Sequence, residues 1–309
     1  MEEIKKATRQ SYGEALANLG KKREDVVVLD ADLSSATKTN LFAQKFPNRF
    51  FDMGIAEQDM IGTAAGLSTC GKIPYASTFA VFAAGRSYDQ IRASICYPNL
   101  NVKIVATHAG VTVGEDGATH QMIEDLSLMR TLPNMTVICP SDDVQTKWVI
   151  EEIANKKGPT YVRLCRLASP IIYPEGTTFK IGKGVQIGDG TDATVMATGI
   201  TVAEALKAKE MLEKEGIFIR VVDMHTIKPI DKELIIKCAK ETKKIITVED
   251  HNIIGGLGSG VCEVLAEDYP TKVIRMGIPD VFGKSGKAEK LLEYFKIDSN
   301  SIAQKVKEN

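Results

Sequence analysis

An α/β fold is predicted by three features of the sequence. Short β-branched runs alternate with longer amphipathic segments from end to end, the pattern of parallel strands joined by crossover helices. A Gly- and Pro-rich stretch, 167–190, interrupts that alternation once. The 309 residues, 44% of them hydrophobic, suit two domains. Placing the boundary at the interruption gives domains 1–178 and 179–309.

In the first domain the β-branched and aromatic runs place strands at 26–29, 49–51, 73–76, 102–106, 136–139 and 160–163. Helices are expected to start near Glu2, Glu57, Ala84, Glu124 and Asp143. In the second domain the same criterion places strands at 194–197, 218–222, 245–248 and 272–274, with helices at 202–215, 231–241, 257–266 and 285–295. The helix over 202–215 follows from its Ala, Leu, Lys and Glu content alone. Gly188-Asp189-Gly190 is expected to be a turn, since Asp-Gly is a common turn signal.

Charge and composition exclude several classes of function. Lys plus Arg (39) balance Asp plus Glu (40) and are spread along the chain, so no basic face for nucleic acid is expected. No apolar run approaches the ~18 residues a membrane helix needs, and the first residues lack a signal peptide's apolar core. A soluble, cytoplasmic protein is therefore expected. Six cysteines without a Cys-x-x-Cys pair read as reduced, buried thiols. Four histidines make an all-protein zinc site improbable, and no metal ligands are assigned to this chain.

Polar chemistry concentrates in three segments that follow predicted strands, where the loops of an open α/β sheet form ligand crevices. Phe51-Asp52-Met53-Gly54-Ile55-Ala56-Glu57-Gln58 opens a helix with a carboxylate; among apolar neighbours Glu57 would have its pKa raised and could share a proton with a ligand nitrogen. Thr78-Phe79-Ala80-Val81-Phe82 sets two aromatics three apart among small residues, leaving room for a flat ring to stack. From His108 to His120, two of the four histidines and the adjacent Glu115 and Asp116 share a glycine-punctuated loop. Gly permits close backbone approach there, while His and Asp supply proton-transfer and hydroxyl-binding groups.

Together these segments resemble the C-terminal half of transketolase, a thiamine diphosphate enzyme. The resemblance rests on Gly-Ile-Ala-Glu-Gln ending at Glu57-Gln58, Thr-Phe-x-x-Phe at 78–82, and Gly-Glu-Asp-Gly-x-Thr-His at 114–120. It implies two doubly wound open-sheet domains, a pyrimidine-binding domain followed by a transketolase C-terminal-like domain. The family's diphosphate domain, whose Gly-Asp-Gly and following Asn hold Mg²⁺, has no counterpart here, because the next asparagine after Gly188-Asp189-Gly190 is Asn252. The resemblance therefore implies a separate N-terminal subunit that holds most of the Mg²⁺ site, an α2β2 heterotetramer, and active sites between chains.

Carried over residue by residue, the resemblance gives Glu57 a hydrogen bond to N1′ of the aminopyrimidine and makes Phe82, with Phe79 beside it, the stacking aromatic. His108, Asp116 and His120 match groups lining the sugar channel, with Asp116 reading the acceptor's α-hydroxyl. Arg9 and Arg166 match substrate-phosphate arginines, and Asp32 with Leu33 matches a segment bordering the cofactor. Ala36 stands where many transketolases place a phosphate-binding serine, and no aromatic follows Phe82 at the expected distance; both departures leave the sugar open.

The implied reaction is transfer of a two-carbon ketol unit from a ketose phosphate such as xylulose 5-phosphate to an aldose phosphate such as ribose 5-phosphate. Deoxyxylulose phosphate synthase shares Gly-Ile-Ala-Glu-Gln and Asp-Gly-x-Thr-His, but Glu115 and the Phe79/Phe82 pair stand against it. The β subunit of a 2-oxo acid dehydrogenase would lack the 114–120 motif. A nucleotide-binding reading of Gly255-Gly256-Leu257-Gly258-Ser259-Gly260 fails on spacing, and the segment reads instead as a helix N-terminus packed against its sheet. A catalytically silent interaction subunit would have no need of Glu57, Phe82, Asp116 and His120. His225 and His251 are expected to be structural, in a second domain serving mainly dimerisation.

Overall fold

The computed structural model describes residues 4–308. Its largest sheet has seven strands in the order Thr226–Lys228, Thr136–Ile138, Thr160–Arg163, Lys103–Thr107, Ile73–Phe79, Val26–Asp30, Phe50–Asp52. All neighbours are parallel except the first pair. The inner strands are buried along their whole length, as befits apolar runs covered by helices on both faces.

Strand order makes one place on this sheet special. From Val26–Asp30 the chain steps outward to Phe50–Asp52, then returns to the other side of Val26–Asp30 to form Ile73–Phe79. The loops leaving those two adjacent strands therefore diverge, opening a crevice at their carboxyl ends. All three segments singled out above, together with Asp32, Leu33 and Arg166, follow strands at that same edge.

A second sheet takes five strands in the order Val273–Ile278, Ile245–Asn252, Ala193–Ala197, Ile219–Asp223, Val185–Ile187, parallel except for the last. Its apolar face packs under the helices Thr201–Glu213 and Ser299–Lys307. The two halves are not independent. Thr226–Lys228, from the second half, completes the edge of the first sheet, and one hydrophobic cluster runs from Leu29 and Ile104 to Met224 and Leu257.

Several elements depart from expectation. The first helix spans Thr8–Lys22 rather than starting near Glu2, which lies outside the described residues; the strand Lys5–Ala7 comes first and pairs antiparallel with Ala168–Pro170. The interruption is thus not wholly loop, since it carries Ala168–Pro170 and Val185–Ile187. These three-residue strands are too short to show an alternation. The expected helix near Ala84 is underwound into wide turns at Val81–Arg86 and Ile91–Cys96. Four cysteines are buried, but Cys70 is exposed and Cys262 partly so. Gly188 turns with φ +79°, and Gly190 lies so close to Phe218 that a Cβ would collide with its backbone. No helix among the described residues is long and apolar enough to cross a membrane.

Candidate active site

Glu57 is the first residue of the helix Glu57–Thr69, and its carboxylate is 2% exposed. The neighbours are not purely apolar. The Arg86 guanidinium donates to both carboxylate oxygens from Nη1, at 2.7 and 2.8 Å, which corrects the expectation of an unpaired buried acid. Arg86 also lies over the Phe82 ring, 4.5 Å from its centroid. The sequence reading passed over this arginine. Its signal was the spacing: Arg86 follows Phe82 by four residues, which on a helical turn brings both to one face.

Phe79 and Phe82 are near-parallel, with centroids 6.0 Å apart and planes 10° apart. His108 stacks on Phe79 at 3.8 Å, and His120 meets Phe82 edge-on at 5.7 Å. The strand end Phe79, the turn Val81–Arg86 and the loop 108–120 thus bring Glu57, Arg86, both phenylalanines and both histidines into one cluster. His108 is 3% exposed, adopts φ +56°, and hydrogen-bonds Thr107 Oγ1 through Nδ1 at 2.8 Å. Burial, with Arg9, Arg166 and His120 adding positive potential, pushes its pKa down to about 3. His108 is therefore a neutral ring at working pH, able to donate and accept hydrogen bonds but not to carry charge.

Beside this cluster lies a polar one. Arg166 Nη1 donates to Val113 O at 2.6 Å and sits 3.7 Å from Glu115 and 3.8 Å from Asp116. Arg9 Nη1 donates to Ala36 O at 2.9 Å, tying the first helix to the short helix Ser34–Thr37 that follows Val26–Asp30; its Nε is buried without a partner. Asp116 is 41% exposed and faces Arg166. Asp32 is exposed with φ +60°, and Leu33 is half-buried. Their loop is held by Asp30, whose fully buried carboxylate accepts from Leu33 N–H, Thr37 Oγ1 and Thr39 Oγ1; burial raises that acid to about 6.

The second half builds part of this site. Asp250, at the end of the second sheet, accepts from Val111 N–H, Thr112 N–H and Thr112 Oγ1 at 2.8, 3.3 and 2.6 Å. Gln121 Nε2 donates to Val111 O, Gly114 O and Lys284 O. Both ends of the 108–120 loop are therefore pinned to the second half, a role beyond the dimerisation expected for it. By contrast, the glycine-rich 255–260 segment faces inward: Leu257 N–H and Gly258 N–H donate to the buried Glu249 carboxylate, leaving no open anion cradle there. His225 and His251 are fully buried, packed respectively against Trp148 and beside Ser127 N–H. Among the described residues no group of three His, Cys, Asp or Glu could hold a metal ion.

Comparison with known proteins decides the family. The transketolase pyrimidine-binding domain model matches residues 4–170, and the transketolase C-terminal domain model matches residues 182–302. The chain belongs to the transketolase family. It is 56% identical over 308 residues to a Methanocaldococcus jannaschii protein named for the C-terminal section of transketolase, covering 99% of this chain and 96% of that one. It is 40% identical over 296 residues to the 6-deoxy-6-sulfo-D-fructose transketolase subunit SqwH of Clostridium sp. (strain MSTE9), covering 96% and 92%. Rat transketolase is 42% identical over 306 residues, but the chain spans only 48% of its length. Among solved structures, one described as a split gene transketolase, inactive beta4 tetramer, superposes with a TM-score of 0.91 at 53% identity, covering 97% of each chain.

Within that family the residues fit the aminopyrimidine half of thiamine diphosphate. A buried carboxylate and an aromatic face stand side by side, bridged by Arg86. A single planar cation, the Arg86 guanidinium, engages both groups at once.

Proposed function

We propose that the chain is the C-terminal subunit of a split transketolase, moving a two-carbon ketol unit between sugar phosphates with thiamine diphosphate and a separate N-terminal subunit. The observation that carries this reading is the convergence of Glu57, Phe82, His108 and His120 at the diverging strand ends. When bound, the cofactor supplies the carbanion chemistry that no side chain here can supply. Glu57 holds a proton at the pyrimidine N1′, and Phe82 orients that ring by stacking. His108, held neutral by burial, hydrogen-bonds sugar hydroxyls together with His120, and a site that pairs buried groups with a hydroxyl rejects analogues lacking it. Arg9 and Arg166 hold the terminal oxyanion, and Asp116 reads the acceptor's α-hydroxyl from beside Arg166.

Mg²⁺ and the diphosphate belong to the partner in this reading, in an α2β2 particle with domains 1–178 and 179–309 in each C-terminal subunit. The test is an assay of xylulose 5-phosphate with ribose 5-phosphate, using the chain mixed with a candidate N-terminal subunit. Ketol transfer by the mixture supports the reading, and a mixture that binds cofactor but transfers no ketol unit overturns it. A second reading draws on the name of the Clostridium relative: a sulfonated ketose takes the donor's place, since a sulfonate also suits a pair of guanidiniums. A donor assay with 6-deoxy-6-sulfofructose separates the two.

A further inference from the structure

A cavity of about 310 Å³ lies between the halves, and its wall contains Arg9 and Arg166 from the first half and Lys287 from the second. Glu115 and Glu289 line it too. The two guanidiniums face Glu115, Glu289 and, 3.8 Å from Arg166, Asp116, so the Lys287 ammonium is what offsets the surplus of carboxylate. Lys287 has no hydrogen bond or ion pair with any described residue, whereas Arg166 is partly engaged by Glu115 and Asp116. The buried, unpartnered Arg9 Nε in the same wall is a second donor without an acceptor.

The backbone that carries Lys287 is docked rather than loose. Gln121 Nε2 donates to Lys284 O at 2.8 Å. A Cβ at Gly117 would meet Ser285 Oγ at 2.5 Å, and one at Gly114 would lie 3.4 Å from Gly286 O and 3.8 Å from Arg166 Nη1. Segment 284–288 therefore closes over the motif loop on the side of Arg166.

The geometry points to Lys287 as a specificity residue, supplied by the second half, that completes with Arg9 and Arg166 a site for the terminal oxyanion of the sugar. The inference rests on the proposed function and adds to it the charge that lets the pocket accept a phosphate. A dianion approaching a wall with surplus carboxylate is repelled, while an ammonium with no protein partner removes that repulsion and offers a charge-assisted contact.

The experiment compares wild type, Lys287→Gln and Lys287→Arg, each reconstituted with the N-terminal subunit and cofactor, using xylulose 5-phosphate and unphosphorylated D-xylulose as donors. Lys287→Gln should lower the preference for the phosphorylated donor roughly threefold to tenfold through KM, the size expected of a partly exposed charge-assisted contact. Lys287→Arg should restore it. An unchanged preference, or equal losses with both donors, overturns the inference. Failure of wild type with either sugar would overturn the transketolase reading instead. In that event ³¹P NMR titration of inorganic phosphate with the chain decides the site itself: weaker binding by Lys287→Gln supports it, and equal binding overturns it.

Discussion

Asp250 accepts a 2.6 Å hydrogen bond from Thr112 Oγ1, although 138 residues separate them. Gly110, beside the bonded turn, has φ +79° and stands so close that any Cβ would strike the Asp250 carboxylate. The second half thus fixes the shape of the loop carrying His108 and His120, and a glycine is required where the two meet.

Removing that carboxylate leaves two buried amides and a hydroxyl without their acceptor. Asp250→Ala should cost about 2–4 kcal/mol of stability by the penalty for orphaned buried donors. Urea unfolding of the chain measures it, and a loss under 0.5 kcal/mol, roughly the scatter of surface substitutions, would show that the loop holds its shape unaided.

Glu57→Ala should abolish ketol transfer in the reconstituted enzyme, while the chain still folds. Circular dichroism checks the fold and the sugar-phosphate assay the activity; near-full turnover would remove Glu57 from the proposed role. Arg86→Ala tests the neighbouring contact. Since Arg86 and the aminopyrimidine would share the same carboxylate and ring face, its removal should change the cofactor's dissociation constant, read by calorimetry, and an unchanged constant would mean that the two never compete.

Asp116→Ala should lower kcat/KM most for acceptors bearing an α-hydroxyl. Because Asp116 is 41% exposed, the expected loss is about 1–2 kcal/mol, below that of a buried charge-assisted bond. Equal losses with a 2-deoxy acceptor would assign the residue to holding Arg166 instead.

His108 gives a pH dependence with a definite sign. Its folded pKa, about 3, lies below the ordinary value of 6.5, so between those values the unfolded chain binds the extra proton and stability rises with pH. The contribution is fully present above pH 6.5 and is lost as pH falls toward 3. Relative to His108→Gln, the wild type should lose up to about 1.4 kcal/mol per pH unit between pH 5.5 and 4.5. Parallel stability curves for the two proteins would show that the ring is not held neutral.

How much was legible in the sequence depended on whether a feature was local. The strands and the helices of the alternating core could be read because their apolar periodicity is local, and the three motifs could be read because each lies within one loop. Thr226–Lys228 could not, since three residues carry no periodicity and their place on the first sheet depends on packing between the halves. Asp250, Gln121 and Asp30 were missed for the same reason: their role is to satisfy amides, hydroxyls or carbonyls that only the fold brings near. Arg86 was a near miss, visible as a spacing but not as a partner, because the sequence does not show which carboxylate a guanidinium faces.

In the proposed function this chain holds only part of a cofactor site. Calorimetric titration of thiamine diphosphate and Mg²⁺ into the chain alone, then into its mixture with an N-terminal subunit, tests it most directly. Mg²⁺-dependent binding is expected in the mixture only, followed there by turnover of xylulose 5-phosphate and ribose 5-phosphate. Tight Mg²⁺-dependent binding by the chain alone would contradict it.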